Sequence, residues 1–314
     1  MAEKTNNGLL WAIGIVLIIL GVVYFSGAGA PGGPIKIGVI VPLTGEMSDQ
    51  GIAVQQAYDL ATSEINAEGG VRGRELVLIY EDGQCDGEVA TAAAQKLIAE
   101  DQVEYILTGT CSDETLAAAE VTQSVGALLL SSASTSPLMT EAGDMVYRTY
   151  PSDAIEAGLV AAHAANDENL RAAIISENTK VAQEIRTAFI EAYEGEVVFD
   201  ETFATGTDEF RTLVNQVRSA NPQMVYVIPG TFDDGELILE QMESSYLNVA
   251  VYGSNTMLNR NAFAEDPSLY EEMILAEVQL PTGKADVMFA AYTEVYGNAP
   301  VYTMLTASAY DSIR

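Results

Sequence analysis

The stretch "VEYILTGTCSDETLAAAEVTQSVGALLLSSASTSP", residues 103–137, decides how this chain folds. Val103 to Leu107 form a short apolar run, and Gly109 to Ser112 read as a turn. Residues 113–125 then carry helical spacing, and "ALLLS" at 127–131 is apolar again. A short, continuous apolar run bounded by turn residues suits a strand buried on both faces. Strand, helix and strand in that order imply a parallel pair with a helical crossover.

The same rhythm extends outward in both directions. Upstream, "IKIGVIVPL" (35–43) reads as a strand. Ala53, Ala57, Leu60, Ala61, Glu64 and Ile65 then follow helical spacing until Gly69-Gly70 stops them. "ELVLIYE" (75–81) is the next strand, and Val89, Ala93 and Leu97 share one helical face. Downstream, helix 153–165 leads to "RAAIIS" and helix 179–193 to "EVVFDETF". Helix 208–220 leads to "QMVYVIP", and helix 235–245 to "NVAVYG". This alternation predicts α/β architecture, with parallel sheets covered by helices on both faces. The run is too long for one compact sheet, so two doubly wound lobes are expected, with a break near "YRTYPSD" (147–153).

Composition narrows the function. The chain has 314 residues, 48% of them hydrophobic, which suffices for two packed cores. Its 45 acidic residues against 14 basic ones give a formal net charge of −31. Such a surface repels phosphate backbones, so no nucleic-acid partner is expected. The same acidity fits either a high-salt habitat or ordinary solubilising charge.

The N-terminus points to export. "LLWAIGIVLIILGVVYF", residues 9–25, is uncharged and spans about 26 Å as a helix. With its small-residue flanks it approaches what a bilayer requires. Lys4 precedes it and no basic residue follows until Lys36, so residues 1–8 are expected inside and the main body outside. A retained transmembrane anchor is the expectation, although Ala28-Gly29-Ala30 also resembles a cleavage site. Residues 26–34, "SGAGAPGGP", form a flexible tether.

An oxidising compartment changes the meaning of Cys85 and Cys111, which each follow a predicted strand. Strand ends of one parallel sheet emerge on the same edge, so a disulfide is the expected state. Two cysteines and His163 cannot close a zinc site, and His163 lies in a separate helix pattern, poorly placed as a base for a thiol nucleophile. Neither G-x-S-x-G nor a phosphate loop is present, so an enzyme is not expected, and no metal or cofactor is implied.

Ligands of doubly wound sheets bind at the carboxyl ends of the strands. The strand-to-helix turns there are rich in Ser, Thr, Gly and Asn: 42–51, 109–114, 131–140, 176–180, 229–235 and 253–258. Helix capping accounts for such residues singly. Six such turns facing one cleft also fit a polar binding site.

"IKIGVIVPLTG", "INAEGGVRGRELVLIYEDGQCD", "AAAQKLIAEDQVEYILTGTCSDETLAAAEV" and "SSASTSPLMTEAG" together resemble the leucine/isoleucine/valine-type periplasmic substrate-binding proteins of ABC transporters. The resemblance implies two Rossmann-like lobes joined by a hinge, the type I arrangement, closing over a small ligand that is usually an amino acid. It implies a Cys85–Cys111 bridge and a transporter permease as partner. A membrane sensor's ligand-binding ectodomain is the alternative. Transferred residue by residue, the Ser112 hydroxyl, the Ala133 backbone and the Thr135 hydroxyl would hold a carboxylate. A helix N-terminus at Ser112 suits an anion independently. Gln50 and Phe232 fall near ligand-contact positions, with Thr231 the alternative to Phe232. Two positions depart from the pattern. Asn255 stands where leucine binders carry an acid for the ligand ammonium, and Val181 stands where an aromatic is expected. Asp153, Asp233 and Asp234 are the nearby acids able to replace the missing charge. The expected division is lobe 1 at 35–150, lobe 2 at 151–276 and a return to lobe 1 at 277–314. Relatives run on past the "TASAYDSIR" at which this sequence stops, so a further segment completing both lobes is expected.

Overall fold

The computed structural model describes residues 32–167, 170–258, 263, 267–278, 283 and 285–314. The apolar run at 9–25 and most of the tether lie outside the described residues. No helix among the described residues is long and apolar enough to cross a membrane.

Two five-stranded parallel sheets organise the chain. The first contains β1 (Ile35–Val41), β2 (Leu76–Asp82), β3 (Tyr105–Thr108), β4 (Leu128–Ser131) and β5 (Val146–Arg148), in the order β2-β1-β3-β4-β5. Val39 sits between Tyr80 of β2 and Leu107 of β3. Three helices connect these strands: α1 (Ser48–Ala67), α2 (Gly87–Ala99) and α3 (Ser112–Val125). The period of two assigns the faces of β1. Val39 and Val41 pack with Val54, Ala57 and Tyr58 of α1, whereas Ile40 packs with Ala94, Leu97 and Ala118 of α2 and α3. Full burial of such side chains contributes about 1.5–3 kcal/mol each. Gly38 lies beneath Leu97, where a Cβ would come within 2.9 Å of its Cδ1.

The second sheet runs β10-β9-β8-β6-β7. It is built from β6 (Arg171–Glu177), β7 (Glu196–Phe203), β8 (Met224–Ile228), β9 (Ala250–Gly253) and β10 (Met273–Leu275). Its helices are α4 (Asp153–Asn166), α5 (Lys180–Ala192), α6 (Arg211–Ala220), α7 (Phe232–Ser244) and the short α8 (Pro267–Tyr270). Ala172, Ile174 and Tyr226 face α4 and α5, while Ala173, Ile175, Val225 and Val227 face α6 and α7. Two last helices, α9 (Asp286–Tyr296) and α10 (Thr303–Ile313), return to the first lobe and pack on α1. The Tyr296 hydroxyl donates to the Gln56 carbonyl at 2.9 Å, and Ala309 joins the core beneath α1.

Two helix starts differ from the sequence pattern. The helix predicted at 235 begins at Phe232, because Thr231 caps it and Gly235 lies inside it. Gly235 is there for close packing, since a Cβ would stand 3.0 Å from atoms of Met257 and Pro229. The helix predicted at 208 begins at Arg211, after Phe210 has turned into the core.

Strand order fixes where the sheets can bind. The chain leaves β1 for β2 on one side and reaches β3 on the other, so the first sheet has its switch point between β1 and β3. The second has its switch point between β6 and β8.

Candidate functional site

The first-lobe wall is built from turns tied to one another. Asp82, at the end of β2, accepts from the Leu43 N–H at 2.8 Å, the Thr44 hydroxyl at 2.6 Å and the Gln84 N–H at 3.1 Å. Burial favours its protonated form, but these donors and the Thr44 N–H outweigh burial and hold it below the ordinary carboxylate range. Cys85 and Cys111 form a disulfide with Cα atoms 5.4 Å apart, joining the turn after β2 to the turn before α3. Beneath it lies Glu114, fully buried, whose Oε1 accepts the Cys85 N–H at 2.8 Å. Burial pushes the Glu114 carboxyl up to about 7, moderated by the Cys85 N–H and reinforced by Asp82.

The 131–136 loop alternates its side chains. Ser131 and Ser134 point into the lobe, where Ser134 and Thr115 share a hydrogen bond of 2.6 Å and Ser131 Oγ accepts the Ser134 N–H at 3.0 Å. Ala133 and Thr135 line a cavity between the lobes instead. Ser112 is half-buried at the start of α3, and its Oγ accepts the Ser136 N–H at 3.3 Å.

The second-lobe wall begins at α4. Ser152 caps this helix through the Ala154 N–H, and the Asp153 N–H donates across to the Thr135 carbonyl at 2.9 Å. Asn255, after β9, does not cap the short turn it opens. Its Nδ2 donates to Asp153 Oδ1 at 2.7 Å. Burial raises the Asp153 carboxyl, opposed by hydrogen bonds from Thr135 and Asn255 and by the charge of Arg148. Glu156, one turn into α4, is pushed up to about 8. Burial is the main cause and the charge of Asp153 the next, against a moderating Asn255 hydrogen bond and a further contribution from Glu277.

Two hollows separate the walls. The hinge-side cavity, of about 390 Å³, is lined by Gln50, Ala133 and Thr135 of the first lobe and by Glu156 and Asn255 of the second. Tyr150, Glu277, Tyr302 and Met304 are also on its wall. The other hollow, of about 450 Å³, lies at the second sheet's switch point, between Ser112 on one side and Glu177, Val181 and Thr231 on the other. They meet at the same turns: Thr110 and Asn255 line the first, Cys111 and Thr256 the second.

Gln50, Ala133, Thr135 and Asn255 therefore share one cavity, whereas Ser112 faces the adjoining one. Phe232 is not brought to either. It packs on the second-lobe core, its ring 6.1 Å from that of Tyr270, because the first residue of α7 points back under the helix. Thr231 is at the hollow, and its hydroxyl also caps α7. Of the three acids able to replace a charge at Asn255, Asp153 reaches it, whereas Asp234 is engaged with Thr231 at 2.7 Å and Asp233 is exposed. Much of the hydroxyl richness of the turns is capping: Ser136, Ser152, Thr179 and Thr231 each accept a helix N–H. Glu156, Tyr150 and Glu277 carry no motif. The only signal for Glu156 is an acid in the first turn of a helix, which reads as favourable dipole charge. Among the described residues no group of His, Cys, Asp or Glu is arranged to hold a metal ion.

Comparison with known proteins bears on this arrangement. The sequence profile of a family described as "Periplasmic binding protein" matches residues 34–314. The Leu/Ile/Val-binding protein of Escherichia coli K12 is 26% identical over 230 residues, covering 72% of this chain and 62% of that protein. The Leu/Ile/Val/Thr-binding protein of Salmonella typhimurium is 27% identical over a region of the same length. The match thus spans about 62% of the length of these relatives. Among solved structures, a branched-chain amino acid transporter substrate binding protein from Streptococcus pneumoniae, in complex with isoleucine, superposes with a TM-score of 0.70 at 24% identity. That match covers 89% of this chain and 82% of the other. An ABC transporter solute binding protein from R. palustris, in complex with 4-hydroxybenzoate, gives a TM-score of 0.73 at 18% identity, covering 89% and 78%. These two structures share the fold.

Proposed function

The chain belongs to the periplasmic binding protein family, and on that premise we propose that it is an extracytoplasmic solute-binding protein serving an ABC transporter. It captures a small ligand, an amino acid or a related amide or carboxylate, between its two lobes. The observation that carries this reading is the hinge-side cavity, whose about 390 Å³ is lined from both lobes by polar groups. Sites of this size, concave and with a few convergent polar groups, suit small metabolites. The role is binding, with no chemical step. Lobe 1, residues 35–150 with 277–314, and lobe 2, residues 151–276, close about the crossings next to Thr149 and Ala276. Residues 9–25 hold the protein to the membrane, with residues 26–34 as tether and the lobes outside.

A thermal-shift screen of the protein against amino acids, their amides and small aromatic and aliphatic carboxylates tests the reading. A ligand at a hundred times its Kd stabilises by about 2.7 kcal/mol, a readily visible rise in Tm. Calorimetric titration of the hits should give one site per chain. A screen without a single hit defeats the proposal. For the anchor, the protein should partition with membranes and remain accessible to protease from outside.

A further inference from the structure

One helix of the second lobe ends on an unusual residue. α7 closes in a Schellman turn: the Leu247 N–H donates to the Met242 carbonyl at 3.0 Å and the Tyr246 N–H to the Glu243 carbonyl at 2.9 Å. That turn puts Tyr246 in the left-handed region, at φ 53°. Glycine enters this region freely and asparagine tolerably, whereas a tyrosine carries a steric cost. Three other helices that close in left-handed geometry keep to that rule: α3 ends at Gly126, α6 at Asn221 and α9 at Gly297. Arg72, Gln84, Cys85 and Gln102 are the remaining described non-glycine residues with positive φ, and none is aromatic. Packing does not compensate Tyr246, which is 90% exposed. A large side chain that is both strained and exposed calls for a use outside the fold.

Tyr246 lines a cavity of about 370 Å³. The cavity lies where β9 and β10 begin, at the end of the second sheet away from the cleft. Its described walls are mainly apolar, with Met242, Leu247, Val251, Leu269 and Met273 backed by the second-lobe core. The charged groups among its described walls are the exposed Glu243, Glu271 and Glu272. Arg218 bonds the Ser245 carbonyl at 2.9 Å from α6 and is not on the described wall. A concave apolar site of this size suits a small molecule. The face of a tyrosine ring and a carboxylate both attract a cation. An anion would meet three acids on a chain of net charge −31.

We propose that this cavity is a second binding site, separate from the cleft, for a small organic amine with an apolar body. The body enters between Met242, Leu269 and Met273, and the ammonium stays at the mouth with the ring of Tyr246 and the glutamates. Tyr246 is then kept for binding at some loss of stability.

Ligand-observed NMR titration of the full chain with 2-phenylethylamine and with 3-phenylpropanoate, an anion of similar size, tests the proposal. The amine should bind saturably, at about 1–10 mM for a fragment of this size, and the anion should not saturate in that range. Tyr246→Gly should raise the Tm of the free protein by about 2–4 °C, through relief of the left-handed strain, and weaken the amine at least ~3-fold. Tyr246→Phe, which keeps the ring, should hold the amine within ~2-fold of wild type. Solutes that the thermal-shift screen finds for the cleft should keep their affinity in Tyr246→Gly. Amine binding unchanged in Tyr246→Gly places the amine elsewhere, the cleft included, and overturns the proposal. Equal binding of amine and anion, or no saturable binding of the amine, does the same. A Tyr246→Gly protein with an unchanged or lower Tm, or one that fails to fold, removes the strain on which the proposal stands and overturns it too.

Discussion

Each wall of the cleft buries a glutamate, and the two are buried for different reasons. Glu114 in the first lobe is fully enclosed beneath the Cys85–Cys111 disulfide. Its Oε1 accepts the Cys85 N–H, and its Oε2 has no hydrogen-bond partner among the described residues. Gly83 leaves it room, since a Cβ there would stand 2.1 Å from Oε1. Glu156 in the second lobe is nearly as buried but borders a cavity. In the first wall, bridge, hydroxyl network and capped turns are tied to one another above the enclosed Glu114. In the second wall the acid faces a cavity. A closed acid belongs to the architecture, and an acid open to a cavity is in reach of what enters it.

Breaking the bridge is the strongest test of the first wall. Replacing both cysteines, as Cys85→Ser with Cys111→Ser, frees a loop of sequence separation 26. On the chain-entropy argument this costs about 3.5 kcal/mol. Urea denaturation should show the loss, and dithiothreitol should reproduce it in the wild type. A loss below about 1 kcal/mol would mean that the other ties hold this wall without the bridge.

Titration sharpens the contrast further. Both glutamates have folded pKa values raised from 4.5, to about 7 for Glu114 and about 8 for Glu156. The unfolded chain therefore loses these protons first as pH rises, and the folded chain keeps them. Their contribution to stability is full below pH 4.5 and falls as pH rises through the folded values. The slope is at most about 1.4 kcal/mol per pH unit for each acid, so about 2 kcal/mol each between pH 5 and 7. The groups facing Glu114 are the Cys85 N–H and Asp82; those facing Glu156 are Asp153, Asn255 and Glu277. Glu114→Gln and Glu156→Gln should each remove one share of the slope. A saturating ligand in the hinge-side cavity should change the share of Glu156 and leave that of Glu114. A ligand-bound protein with the full slope of the empty one would erase the distinction between the walls.

Thr231 marks a smaller effect on the second wall. It accepts the Asp234 N–H at 3.2 Å as the cap of α7 and also lines the switch-point hollow. Thr231→Ala should cost about 1 kcal/mol of stability. If the ligand is confined to the hinge-side cavity, affinity measured by calorimetry should stay within about 2-fold of wild type, well under the effect of one lost hydrogen bond.

The fold was largely legible because its central strands are buried on both faces and write themselves as unbroken apolar runs, as in "IKIGVIV" and "MVYVI". What was missed lies at the sheet edges. β5 and β10 have three residues each, all partly or largely exposed, and no pattern of two can establish itself over so short a span. The helices α9 and α10 were covered only by a general expectation of return to the first lobe. Their packing on α1 depends on residues such as Gln56 and Leu60 that are distant in the chain. The family resemblance, not strand position or spacing, picks out Ala133, Thr135 and Asn255, which line one cavity. Phe232 was misjudged because an aromatic at a helix start turns either toward a cleft or under its own helix, and spacing alone does not choose. Glu156 was invisible for a related reason. The side of α4 that meets the cavity is set by the opposite lobe.

Ser112 gives the smallest effect on folding and the finest test of where the ligand lies. Its hydroxyl accepts one backbone N–H, from Ser136 at 3.3 Å, and it is only half-buried. Ser112→Ala should change stability by no more than about 1 kcal/mol, the net worth of a single ordinary hydrogen bond. Its effect on binding depends on which hollow receives the carboxylate. Ala133 and Thr135 belong to the hinge-side cavity with Glu156, whereas Ser112 faces the adjoining hollow across the Thr110–Cys111 turn. A ligand whose carboxylate extends past that turn gains a charge-assisted hydrogen bond worth about 1.5–3 kcal/mol, or roughly 10- to 150-fold in affinity. Ser112→Ala should then lose that factor. An affinity unchanged in Ser112→Ala would confine the ligand to the cavity of Thr135 and Glu156 and leave the free N–H groups at the start of α3 to solvent.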